Sequence, residues 1–216
     1  DEKRIYTIES GARELFLVKR NRFGEVQNNV VHTLSRPSEN EAYDISQEDL
    51  VVAALRFDPD LVVVGEIRDA EANAAVEASL TGHTVVTTVH SGPAESAHGR
   101  ISLLCQRRFQ LGMEVSLSQS RQAFPVVVFA HKCEDNTRKV MDISECAVSS
   151  NGKARYRCLY RYNITENEYK DGKFTIKGCF EKVNPPSEQL KTLLTRSGVP
   201  RELLNRFCQG KEATKK

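Results

Sequence analysis

No CxxC pair occurs anywhere in the 216 residues: the six cysteines, at positions 105, 133, 146, 158, 179 and 208, are dispersed, and the nearest two are separated by eleven other residues. That spacing excludes a zinc site, and in a chain of this length the thiols read as reduced rather than as a disulfide framework. Long apolar runs are also missing. The longest, residues 50–55, has six residues, against the roughly 18–20 that a bilayer span needs. The opening DEKRIYTIES has none of the character of a signal peptide. Net charge is small, 31 Lys+Arg against 29 Asp+Glu giving +2, so the surface as a whole offers no strong field for a phosphate backbone, and no nucleic-acid partner is expected. A phosphate loop of the form GxxxxGK(S/T) is absent as well. Asn151-Gly152-Lys153, Asp171-Gly172-Lys173 and Gly210-Lys211 lack the preceding Gly, the following hydroxyl and the strand-to-helix setting, so they read as turn or tail residues.

What is present is an ordinary globular composition, 39% apolar and 28% charged, in a chain long enough for a hydrophobic core without staples. Residues 5–8, 61–64 and 84–89 are short aliphatic runs of the kind that form buried parallel strands. Residues 47–57 predict a helix with Ser46 as N-cap and Asp49 closing a capping box, ending before Asp58-Pro59. Asp69 is the expected cap of an Ala-rich helix reaching Leu80, and a third helix is expected from about Pro93 through Leu104. Strands alternating with such helices predict an α/β layer with a parallel sheet. Beyond Phe124 the pattern changes to antiparallel strands over 126–130, 139–148, 156–164 and 173–180, with Asn151-Gly152 and Asp171-Gly172 as hairpin turns, then two short helices and a polar tail. The expected division is residues 1–130 and 131–216.

Ligands of open α/β sheets bind outside the carboxyl ends of the strands. Glu9, Glu66 and His90 each stand just past a predicted strand. Taken singly, each is an ordinary strand-end residue. Three at equivalent places form two carboxylates and an imidazole in one crevice, a set suited to phosphoryl transfer: one carboxylate orients water, the other helps hold a hydrated Mg2+ without binding it directly, and the histidine donates to the terminal phosphate. Gly65 is expected to let the backbone approach the ligand.

Residues 55–92, LRFDPDLVVVGEIRDAEANAAVEASLTGHTVVTTVHSG, resemble the Walker B and histidine boxes of the bacterial type II/type IV secretion and type IV (Tad/Flp-type) pilus assembly ATPase superfamily, and IYTIESGARELFL, residues 5–17, is similar to its aspartate box. The likeness covers roughly the first 145 residues. It implies a RecA-like P-loop NTPase core whose first strand and phosphate loop are missing here, followed by β-hairpins and short C-terminal helices, and therefore the C-terminal part of a longer ATPase. It assigns Glu66 as the Walker B glutamate, Glu9 as the acidic-box glutamate and His90 as the sensor of the γ-phosphate. Arg56 and Arg68 match arginines flanking Walker B; with Arg36 they are candidate phosphate contacts, and Arg100 and Arg13 are further candidates of less weight. His83 reads as a turn residue near the site, while His32, His98 and His131 receive no role. The resemblance further implies ATP and Mg2+ as ligands, a homohexamer at the cytoplasmic face of the inner membrane, and secretion or pilus platform proteins as partners. Ser10 stands where the family usually has Asp, and one extra residue precedes Glu14-Leu15. Without a phosphate loop the chain alone is expected to be inactive. The alternatives are a non-catalytic ring or regulatory paralogue and a RecA-like nucleic-acid motor.

Overall fold

The computed structural model describes residues 2–107, 110–149 and 152–209. The chain divides into two compact units, one of Asp1–Ser91 with His98–Phe124 and the other of Gly92–Ala97 with Pro125–Lys216.

The first unit is built on a four-stranded sheet of β1 (Arg4–Glu9), β2 (Asn29–Leu34), β3 (Leu61–Val64) and β4 (Val85–Thr87), in the order β2-β1-β3-β4. Every pairing is parallel, with Ile8 opposite Val64 and Val64 opposite Thr87. In β1 both faces are covered. Tyr6 and Ile8 enter the core while Thr7 and Glu9 are buried on the other side, which is why its sequence shows no alternation between apolar and charged residues. The core gathers Ile8, Val62 and Val64 with Val51 and Ala54 of helix α1 (Gln47–Ala54), Ala72, Ala75 and Ala78 of α2 (Glu71–Leu80), and Ile101 and Leu104 of α3 (Ala94–Cys105). Helix α1 has the expected capping box, Ser46 Oγ accepting from the Asp49 amide and the Asp49 carboxylate accepting from the Ser46 amide, and it tightens into a 3-10 turn over Leu55–Phe57. Asp58 then takes φ 47°, the left-handed turn that stops the helix before Pro59.

Three details depart from the sequence reading. Asp69 does not cap α2 with its side chain; Glu71, in the first turn, reaches back so that its carboxylate accepts from the Arg68 and Asp69 amides. Strand β4 ends at Thr87, short of the expected Val89, and just beyond it the Thr88 hydroxyl donates to the Gly65 carbonyl at 2.7 Å. Helix α4 (Met113–Ala123) was not expected from the sequence. Its buried residues include Ser116 and Ser120, whose hydroxyls donate to the Ser102 and His98 carbonyls of α3, so hydroxyls stand where an apolar stripe would be sought.

The second unit carries an antiparallel sheet in the order β5-β6-β7-β8: β5 (Val126–Lys132), β6 (Arg138–Val148), β7 (Ala154–Lys170) and β8 (Lys173–Lys182). Thus β5, which a division at residue 130 would cut, pairs along its length with β6. The β7–β8 turn has Asp171 at φ 51° and Gly172 at φ 77°, as a tight hairpin requires; Asn151 of the β6–β7 turn lies outside the described residues, as does the polar tail. Helices α5 (Glu188–Arg196) and α6 (Arg201–Cys208) follow. Buried Glu145 on β6 accepts from the Ser187 amide and lies 3.4 Å from Arg157 Nε, which ties the start of α5 to the sheet. No helix among the described residues is long and apolar enough to cross a membrane.

Candidate functional site

Parallel strands bring their carboxyl ends to one edge, and three of the expected residues arrive there. Glu66, two residues past β3, is half-buried and is held by Arg68, whose Nη2 donates to Oε2, and by His90, whose Nε2 lies 3.2 Å from Oε1. The Arg68 guanidinium holds the Glu66 carboxyl below the usual carboxylate range, with His90 adding to the effect, and Glu66 in turn raises Arg68. His90 leaves 93% of its side chain open to solvent. Glu66, Ile67, Arg68, Val89, His90 and Arg100 line a cleft of about 260 Å³. Arg100, given little weight in the sequence, is therefore a wall of this cleft; its helix, α3, returns it to the edge.

Glu9 ends β1, the strand paired with β3, and is 3% exposed. Its Oε2 accepts from the Glu14 and Leu15 amides at 2.6 and 2.8 Å. Gly11 takes φ 76°, and the chain curls around Glu9 and returns Glu14 to a place where its charge acts on Arg68. Among the described residues Glu9 Oε1 has no hydrogen-bond partner, and neither has Glu66 Oε1, for which His90 is close but not aligned to donate. Gly65 serves this arrangement differently from the expectation. A Cβ on it would stand 3.3 Å from Glu9 Cγ and 3.4 Å from the Ile8 carbonyl, so what its backbone approaches closely is the neighbouring strand.

His32, which received no role from the sequence, stands beside Glu9. Register places it opposite Thr7; the Thr7 hydroxyl and His32 Nδ1 share a hydrogen bond of 2.7 Å, and Nδ1 is 4.0 Å from Glu9 Oε1. Burial and the nearby Arg13 hold its pKa below the ordinary histidine value, partly opposed by Glu9. The pairing of β1 with β2 was the signal needed to find it, and sequence alone did not supply that register.

The other candidates are not drawn into the cluster. Arg56 sits in the 3-10 turn before β3, at the amino edge of the sheet and so at the opposite end of β3 from Glu66. Arg36 follows β2 in an exposed loop where its Nε donates to the Tyr43 carbonyl. His83 caps the end of α2 through the Ala78 carbonyl and precedes β4, again at the amino edge and away from Glu66. Buried His98 hydrogen-bonds the Phe124 carbonyl, a packing role. Among the described residues no group of three or more His, Cys, Asp or Glu is arranged to hold a metal ion.

A parallel sheet layered with helices and carrying acidic, basic and imidazole side chains at its carboxyl edge defines an α/β protein with its candidate ligand cleft outside the strand ends. Residues 2–180 match the family described as type II/IV secretion system protein, and the chain belongs to that family. It is 34% identical over 165 residues to the type II secretion system protein E of Pseudomonas aeruginosa, covering 68% of this chain and 31% of that protein. It is 48% identical over 63 residues to the type IV pilus assembly ATPase TfpB of Acinetobacter baylyi, covering 29% of this chain and 11% of that protein. Among solved structures, the VirB11 ATPase of the Brucella suis type IV secretion system, crystallised with sulphate, aligns with a TM-score of 0.55 at 24% identity over 66% of this chain and 40% of that one, which establishes the shared fold. The matched segments span less than a third of either curated relative.

Proposed function

We propose that this chain is part of a motor ATPase that couples ATP hydrolysis to protein secretion or pilus assembly. The observation that supports the reading most is the placement of Glu66 at the end of β3, paired with Arg68 and His90 in a cleft that Arg100 also lines. Glu66 is the acceptor that orients and polarises the attacking water. Arg68, Arg100 and His90 present positive or donating groups to the charge that develops on the terminal phosphate. The two partnerless oxygens, Glu9 Oε1 and Glu66 Oε1, suit the water shell of a Mg2+ ion, which keeps several of its waters when bound. Glu14 supplies the second acidic group in place of the position occupied by Ser10. Arg56, at the amino edge of the sheet, and Arg36, whose Nε donates to the Tyr43 carbonyl, act on the nucleotide of a neighbouring subunit in a hexameric ring at the inner membrane, next to the platform proteins of the transport machine.

Because the chain has no GxxxxGK(S/T), it lacks the amide cradle for the phosphates and turns over ATP negligibly by itself. The test is steady-state ATP hydrolysis by a full-length protein carrying this chain, compared with its His90→Ala variant. The reading expects a loss of about 100-fold, the scale of removing one donor to developing charge. An unchanged rate removes His90 from the mechanism, and the absence of any nucleotide turnover by the full-length protein points instead to a non-catalytic ring component.

A further inference from the structure

Arg68 reaches Glu66 with a side chain that is 70% exposed, so packing does not place its guanidinium. An arginine side chain has about 2 kcal/mol of rotamer entropy to lose, and what restricts an exposed one is the backbone from which it leaves. That backbone is held from two sides. Glu71, in the first turn of α2 and 7% exposed, accepts with Oε1 from the Arg68 amide and, at 2.9 Å, from the Asp69 amide. Arg107, just past α3, donates through Nη1 to the Arg68 carbonyl at 3.3 Å and lies 3.3 Å from Asp69 Oδ1. The Arg68 carbonyl and the Asp69 amide belong to one trans peptide unit, which points them to opposite sides, so the two contacts together resist its rotation. Both holders stand on helices rooted in the core, α2 through Ala72 and Ala75 and α3 through Ile101 and Leu104. Asp69, which does not cap α2, meets Arg107 instead.

We infer that Glu71 and Arg107 are positioning residues, which hold the 68–69 peptide so that the Arg68 guanidinium is delivered to Glu66. Neither lines the cleft; both act through Arg68. Both amides taken by Glu71 lie ahead of α2, whose first turn begins at Glu71 itself. The carboxylate thus reaches back past the helix start to the residue that carries the guanidinium. Glu71 has the larger share of the effect, because it is buried and its hydrogen bonds, made to a charged acceptor, are about twice as strong as neutral ones. The Arg107–Asp69 pair is 52% and 64% exposed, where an ion pair contributes little. The negative charge of Glu71 also acts on Arg68 and favours its charged form. The inference rests on the motor reading and adds to it what sets the position of Arg68.

The experiment follows the Arg68 Nε–H group by NMR relaxation in the 216-residue chain, as parent, Glu71→Ala, Glu71→Gln and Arg107→Ala. Glu71→Ala is expected to lower its order parameter below about 0.6, the flexible range. Arg107→Ala is expected to lower it less, and Glu71→Gln, whose amide oxygen still accepts, to keep it near the parent value. In a full-length protein carrying this chain, Glu71→Ala is expected to slow ATP hydrolysis about tenfold with nucleotide affinity unchanged, part of the roughly 100-fold that a misplaced group can cost. On an Arg68→Ala background it is expected to cost nothing more, since residues that act through one another are not additive. An Arg68 group as ordered in Glu71→Ala and Arg107→Ala as in the parent overturns the inference. So does an undiminished tenfold loss on the Arg68→Ala background, which shows Glu71 serving the fold alone. Arg107 is exposed, so its variant keeps the relaxation test decisive if Glu71→Ala does not fold. A full-length parent that hydrolyses no ATP counts against the motor reading only, and the order of Arg68 then decides the inference by itself.

Discussion

Gly65 and Glu9 touch across neighbouring strands: the α-carbon of Gly65 faces the Glu9 side chain so closely that a methyl group there would stand 3.3 Å from Glu9 Cγ. The residue before the β3 carboxylate thus sets the position of the β1 carboxylate. Gly65→Ala requires Glu9 or the strand spacing to give, an overpacking cost of about 1–3 kcal/mol. Thermal denaturation is expected to show that loss, and hydrolysis by the full-length protein is expected to fall with it. Parent-like stability and activity would show that Glu9 has room to move.

Arg68 governs the charge state of Glu66. Because the guanidinium depresses the Glu66 pKa, Arg68→Ala is expected to raise it toward the ordinary glutamate value, and Glu66 then protonates at a higher pH than in the parent. Side-chain carboxyl chemical shifts followed through a pH titration read this directly. An unmoved or lowered Glu66 titration contradicts the pairing.

Much of this arrangement is legible before any coordinates. Strand β3, the Ser46–Asp49 capping box and the stop at Asp58-Pro59 are local features in which propensity, hydrogen bonding and backbone sterics agree, so the residues alone specify them. The placing of Glu9, Glu66 and His90 at strand ends needs only the runs that precede them and the rule that parallel strands share one carboxyl edge. Other features depend on partners distant in sequence. His32 reaches Glu9 through the β1–β2 register, Arg100 reaches the cleft through the path of α3, and Glu14 returns through the Gly11 turn. Helix α4 was hidden because two of its buried positions, Ser116 and Ser120, are serines that bond carbonyls of α3. Asp69 was taken as a cap on its residue type, whereas the longer Glu71 side chain reaches the same amides from within the helix.

The capping box gives a test of stability at the start of α1. Ser46→Ala removes the acceptor for the Asp49 amide and is expected to cost about 1 kcal/mol, measured by chemical denaturation. A change below a few tenths of a kcal/mol would show that α1 is held by its packing on α2 and needs no cap.

Cys105 differs from the exposed Cys179 in chemistry as well as in position. Burial pushes the Cys105 thiol up to about 11, so at pH 8 about one molecule in a thousand carries the thiolate there. Iodoacetamide is expected to modify Cys179 first and Cys105 only on unfolding. The same shift makes the folded state bind its proton more tightly, so the contribution of Cys105 to stability is full below its unfolded pKa and is lost as pH rises through the folded value, between about pH 9 and 11. Rapid labelling of Cys105 in the native protein at pH 8 contradicts both statements.

The most direct test is single-turnover ATP hydrolysis by a full-length protein carrying this chain, parent against Glu66→Gln. The amide keeps the size and most of the packing of the side chain but removes its capacity to act as a base. The account predicts a fall of at least about 100-fold in the hydrolytic step with nucleotide still bound. An unchanged hydrolytic rate would contradict it.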